Sequence, residues 1–108
     1  MRRVVDETEL IKSVSSGISL VVFSADWCSP CKSLHKVLDD LHVEFPEINL
    51  MEVDVNASSD LAAKFSVTGL PTCISFFNGN ENESHAVGFM GKDAVRRYLG
   101  SLRSNHPA

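Results

Sequence analysis

The sequence predicts an α/β domain built on a central mixed five-stranded sheet with helices on both faces. Three observations predict it. Short apolar runs alternate with amphipathic segments along most of the chain, the pattern of strands joined by helices. Asn78-Gly79 signals a hairpin near the end, which adds antiparallel pairing to an otherwise parallel plan. The 108 residues are enough for one domain with a real core and too few for two.

Arg3-Val4-Val5 is the expected first strand. Asp6-x-x-Glu9 resembles a capping box and opens a helix to about Ser15. Ser19 to Ser24 is nearly continuous in apolar residues, as a buried strand is. A long helix is expected from the Cys28/Cys31 region to about Phe45, with Leu34, Val37, Leu38, Leu41 and Phe45 on one face. Ile48 to Asp54 reads as the third strand. Ser58 or Ser59 caps a short helix through Ala62 and Phe65. Thr72 to Phe77 is the fourth strand, and the hairpin leads to a fifth at Ser84 to Val87. A last helix is expected over Gly91 to Leu102, with Val95, Leu99 and Leu102 inward. Residues 1–103 thus read as one domain, and 104–108 as a short polar tail that frays.

Hydrophobic residues make up 44% of the chain, a globular rather than disordered composition. The net charge is −4 without a basic stripe. Neither nucleic acid nor an anionic membrane is therefore expected as a partner. No apolar stretch is long enough to span a bilayer. Met1-Arg2-Arg3 is followed by acidic Asp6, Glu7 and Glu9 rather than by an apolar region, so no secretory signal is expected. Three unevenly placed cysteines do not make a disulfide scaffold. The expected compartment is the cytoplasm, with a processed organellar form as the alternative.

Chemistry concentrates in Trp27-Cys28-Ser29-Pro30-Cys31-Lys32. Two cysteines one helical turn apart, after a strand and opening a helix, suit a dithiol that closes to a disulfide. Zinc sites use the same spacing. The attacking species in thiol–disulfide exchange is a thiolate, and unpaired N–H groups with the positive end of a helix dipole favour one at Cys28. Cys28 is then the nucleophile and Cys31, one turn deeper, the resolving cysteine. Pro30 is tolerated in the first turn and restricts the backbone there. Trp27 offers a flat face to a partner.

The chain resembles a thioredoxin over nearly its full length. The resemblance rests on Phe23-Ser24-Ala25-Asp26-Trp27-Cys28-Ser29-Pro30-Cys31-Lys32, Val53-Asp54, Thr68-Gly69-Leu70-Pro71-Thr72, Phe76-Phe77-Asn78-Gly79 and Val87-Gly88. It implies the thioredoxin fold and reversible thiol–disulfide exchange with protein disulfide substrates. It implies no bound cofactor, with electrons coming from NADPH through a thioredoxin reductase or an equivalent dithiol donor. Pro71 matches the family's cis proline, which lies against the disulfide and presents the Leu70 backbone to an extended substrate. Gly88 matches a glycine that lets a partner approach, with Phe89 beside it. Trp27, Ser29, Pro30, Leu70, Pro71, Gly88 and Phe89 are thus the expected docking surface. A monomer is expected, with a weak dimer through Trp27 and its apolar neighbours as the alternative.

Two departures stand out. The family's usual Gly-Pro between the cysteines is Ser29-Pro30 here. The buried aspartate that most thioredoxins carry six residues before the first cysteine is Val22. Val22 makes the core drier, and it removes the evident internal acceptor for the Cys31 proton. The expectation is a competent but slower or more alkaline-shifted oxidoreductase.

Other residues have simpler readings. Cys73 reads as a buried core thiol. Cys28, Cys31 and His35 lack an evident fourth ligand for zinc, so no metal is expected and His35 reads as a solvated helix residue. His42, His85 and His106 read as surface, and Phe65, Phe76 and Phe77 as core. The alternative functional class is a protein-binding module with incidental or narrowly specific redox activity.

Overall fold

The computed structural model describes residues 1–106. The strands are β1 (Arg2–Arg3), β2 (Ile18–Ser24), β3 (Ile48–Asp54), β4 (Thr72–Phe77), β5 (Asn80–Glu81) and β6 (Ala86–Val87). The helices are α1 (Glu7–Ser13), α2 (Ser29–Leu41), α3 (Ser59–Lys64) and α4 (Lys92–Asn105). One sheet runs β1-β3-β2-β4-β5, with β6 also on β4. β1, β3 and β2 are parallel, and β4 runs antiparallel to β2, β5 and β6.

Among the described residues the sheet has six strands rather than the five expected: the predicted fifth strand, Ser84 to Val87, pairs only at Ala86–Val87, and an unpredicted strand forms at Asn80–Glu81. Asn78 and Gly79 both take positive φ, 49° and 87°, which turns the chain back at once in the primed geometry of tight hairpins. β5 pairs Asn80 with Phe77 directly after this turn. Asn82 then accepts a bond from the Ser84 N–H at 2.9 Å, a local turn that lifts the chain off the sheet. Pairing resumes only at Ala86 and Val87.

Other boundaries have local causes. Asp6 caps α1 by accepting from the Glu9 N–H at 2.8 Å. α2 gives way to a 3-10 turn at His42–Glu44 before reaching Phe45, since the residue before Pro46 avoids helical backbone. Ser58 stands at the N-cap of α3 without a capping bond from its side chain; its hydroxyl donates to the Val5 carbonyl instead. α4 runs to Asn105, and the His106 ring stacks on Phe77 with centroids 4.3 Å apart. Of the predicted polar tail, Pro107 and Ala108 lie outside the described residues.

β2 divides the core. Ile18, Leu20 and Val22 face Leu34, Leu38 and Leu41 of α2 and Val95, Leu99 and Leu102 of α4. Val21 and Phe23 face Leu10 of α1 and Leu61 of α3. Helices therefore cover both faces, and β2 and β4 deliver the loops at their ends to one rim of the sheet.

Candidate active site

The first loop of that rim follows β2. The Cys28 N–H donates to the Ala25 carbonyl at 3.1 Å, folding Ala25 to Cys28 into a tight turn. Cys28 is the N-cap of α2, with extended backbone, and its sulfur accepts from the Cys31 N–H at 3.2 Å. A helix start has N–H groups with no helical partner, and here one of them points at sulfur. Pro30 occupies the first turn, where a missing N–H costs nothing. Cys28 and Cys31 form a disulfide, with their Cα atoms 5.3 Å apart. Both are buried, and Cys28 keeps the outer position at 5% exposure against 1% for Cys31.

The second loop precedes β4. Ser66 takes a left-handed conformation, φ 56°, and ends α3. The Val67 N–H bonds back to the Ala62 carbonyl at 2.9 Å, a helix-terminating pattern that carries Val67 up beside the cysteines. The Leu70–Pro71 peptide is cis. Thr72 pins the loop by donating its hydroxyl to the Gly69 carbonyl at 2.6 Å. Gly88, at φ 95°, donates its N–H to the Pro71 carbonyl at 2.8 Å. The chain after β6 is thereby tied to Pro71.

Between the two loops lies a groove of about 630 Å³. Of the predicted site residues, Trp27, Cys28, Ser29, Pro30 and Leu70 line it. Trp27 is 71% exposed. Pro71 is buried, and Pro71, Gly88 and Phe89 do not line the groove. Val55, Ala62, Val67 and Thr68 complete the walls and went unpredicted. For Val67 a signal existed, an apolar residue next to the Thr68-Gly69 turn and outside any helix face.

A second cleft, of about 170 Å³, lies on the other side of Cys31 and is lined by polar groups. Glu52 of β3 is the register partner of Val22, and partners on adjacent strands point to the same face. A carboxylate thus sits one strand away from the place where Val22 removes one. His35 is not the solvated residue expected. Its Nδ1 lies 3.5 Å from Glu52 Oε2, and its Nε2 is buried without a hydrogen-bond partner. His85 is also partly buried, with Nε2 2.8 Å from Glu81 Oε2. Only His42 of the three remaining histidines is fully a surface residue.

Cys73 sits in the core between β4 and the α2/α4 layer. Burial pushes its thiol up to about 12, so it is neither a nucleophile nor a third redox centre near neutral pH. Among the described residues no three His, Cys, Asp or Glu side chains gather as metal ligands would. No helix of the described residues is long and apolar enough to cross a membrane.

Comparison with known proteins agrees with this geometry. The Thioredoxin family profile matches residues 3–101. Thioredoxin from Chlamydia trachomatis serovar D is 39% identical over 99 residues, covering 92% of this chain and 96% of that protein. Thioredoxin from Staphylococcus saprophyticus is 37% identical over 96 residues, covering 88% and 91%. Among solved structures, a thioredoxin variant from Halobacterium salinarum superposes with a TM-score of 0.83 at 31% identity, covering 94% of this chain and 88% of that one.

Proposed function

This chain belongs to the thioredoxin family and is a thiol–disulfide oxidoreductase; from that premise we propose that it reduces protein disulfides by a two-step exchange in which Cys28 attacks and Cys31 resolves. The close cysteine pair favours this over a binding module. The Cys28 thiolate attacks one sulfur of a substrate disulfide, forming a mixed disulfide and expelling the other sulfur as thiolate. Cys31 then loses its proton and attacks the Cys28 sulfur. The Cys28–substrate bond breaks, the second substrate thiolate leaves, and Cys28–Cys31 is oxidised as the substrate gains two electrons.

The observation that carries this division of labour is the bond from the Cys31 N–H to Cys28 Sγ, 3.2 Å, at the start of a 13-residue helix. A thiolate is stabilised by such a donor and by the helix dipole. Only Cys28 of the pair lines the groove. Docking is assigned to Trp27, Ser29, Pro30 and Leu70 in the groove, with Pro71, Gly88 and Phe89 beside it. The apolar walls suit an extended, largely apolar substrate segment.

Electrons are drawn from NADPH through a thioredoxin reductase, the chain works as a monomeric electron carrier in the cytoplasm, and residues 1–103 form the working domain. Membership of the thioredoxin family supports the electron donor and the carrier role.

The test is reduction of insulin disulfides with dithiothreitol as donor. Catalysis well above dithiothreitol alone is expected. Cys31→Ser is expected to lose it while accumulating a mixed disulfide visible by mass spectrometry. A folded wild-type protein that does not accelerate the reaction refutes the reading.

A further inference from the structure

We infer that the polar cleft behind the disulfide is the proton exit for Cys31, with His35 receiving the proton through water and Glu52 orienting the imidazole. The inference rests on the assignment of Cys31 as the resolving cysteine. Resolution needs a thiolate, yet Cys31 is 1% exposed and its side chain is packed with Ala25 and Cys28. Bulk solvent therefore has no direct access to it from the groove. The cleft reaches it from the other side.

His35 is placed for the task by helix geometry. It follows Cys31 by four residues on α2, and side chains at that spacing are neighbours on one helix face. Glu52 Oε2 lies 3.5 Å from Nδ1, close enough to pair with the ring once it takes up a proton. Imidazole is the side chain most often used to take up a proton in such a step. The cleft, about 170 Å³, is roomy enough for water, which needs roughly 10–15 Å³ of such space per molecule.

The other charges around the cleft have separate work. Arg3 of β1 lies 3.4 Å from Glu52 and 3.7 Å from Asp54. Asp54 accepts from the N–H groups of Asn56 and Ala57, so it shapes the loop after β3. Asp26 and Lys32 stand at the exposed rim. One turn further along α2, Asp39 lies 3.7 Å from the Met1 amino group.

In the step, the Cys31 S–H bond breaks and its proton passes through water in the cleft to the His35 imidazole. The Cys31 sulfur keeps the electron pair and forms the S–S bond to Cys28, and the substrate sulfur leaves with the pair of the bond that breaks. When the disulfide is later reduced, the imidazolium returns the proton to Cys31.

The test is single-turnover oxidation of the reduced protein by a peptide disulfide across a pH series, followed by Trp27 fluorescence. The Cys31→Ser background isolates the attack step. His35→Gln is expected to slow disulfide closure, relative to attack, by about tenfold at neutral pH and below, less than the full range of general-base catalysis because water still takes the proton. Glu52→Gln is expected to cause a smaller loss and to displace the inflection of the pH profile. Added imidazole is expected to restore closure in His35→Ala, which a merely structural role does not predict. Wild-type closure and pH profile in folded His35→Gln and Glu52→Gln overturn the inference. If Cys31→Ser fails to accumulate a mixed disulfide, the division of labour between the cysteines fails first, and the inference falls with it.

Discussion

Two thiols in this chain differ by what surrounds them. Cys28 has a backbone N–H and a helix start; Cys73 lies in an apolar core cluster, and burial raises its thiol from 9.0 to about 12. With reductant present at neutral pH, iodoacetamide is expected to modify Cys28 and leave Cys73 untouched in the native protein, as read by peptide mass spectrometry. Cys73 also predicts an alkaline limb of stability. The folded state keeps this proton as pH rises from about 9 to about 12, whereas the unfolded chain releases it. Stability contributed by the neutral thiol is whole below that window and falls through it, by up to about 1.4 kcal/mol per pH unit. Cys73→Ala is expected to flatten that slope in urea titrations. The cysteines and the Leu70-Pro71 loop were legible because their chemistry is written in consecutive residues. The Glu52–His35 pair was not, because it joins a strand to a helix across seventeen positions. The alternation Ile48, Leu50, Glu52 on one strand face was the available clue.

Periodicity delivered β3 and β4 to the residue and the inward faces of α2 and α4. It failed where side chains compete for the backbone, as at Asn82, and where a charged clamp extends an element. The last turns of α4 show the second case. Arg103 donates to both Glu47 oxygens, at 2.7 and 2.8 Å, and to the Glu44 carbonyl, while its guanidinium lies 4.5 Å from the Phe45 ring centre. Arg96 grips the Glu44 carboxylate at 3.0 and 3.1 Å. Arg96 and Arg103, hydrogen-bonded to them, hold the carboxyls of Glu44 and Glu47 below their ordinary range. Their contribution is therefore present above that range and lost as pH falls through the lowered values. Arg103→Ala is expected to lower the melting temperature at neutral pH and to lower it less in acid. High salt is expected to shrink the difference, since these groups are exposed. Calorimetry at two pH values checks both.

At the scale of the molecule, β2 is the shared wall of two apolar layers, and neither layer is large. Leu99 is 1% exposed within the α2/α4 layer. Leu99→Ala is expected to cost about 2–5 kcal/mol in urea unfolding, a large share of the roughly 5–15 kcal/mol that such a domain has in total. A loss under about 1 kcal/mol would mean that this layer collapses around the gap. The shortness of the outer strands has a consequence at this scale too. Each flank of the sheet ends in strands of only two residues, β1 on one side and β5 and β6 on the other. Unpaired backbone along a long flat edge is a template on which another chain can add itself. Among the described residues β2, the most apolar strand, is paired along its length on both sides, so it stays sealed in the middle and the folded protein resists seeding fibrils from it.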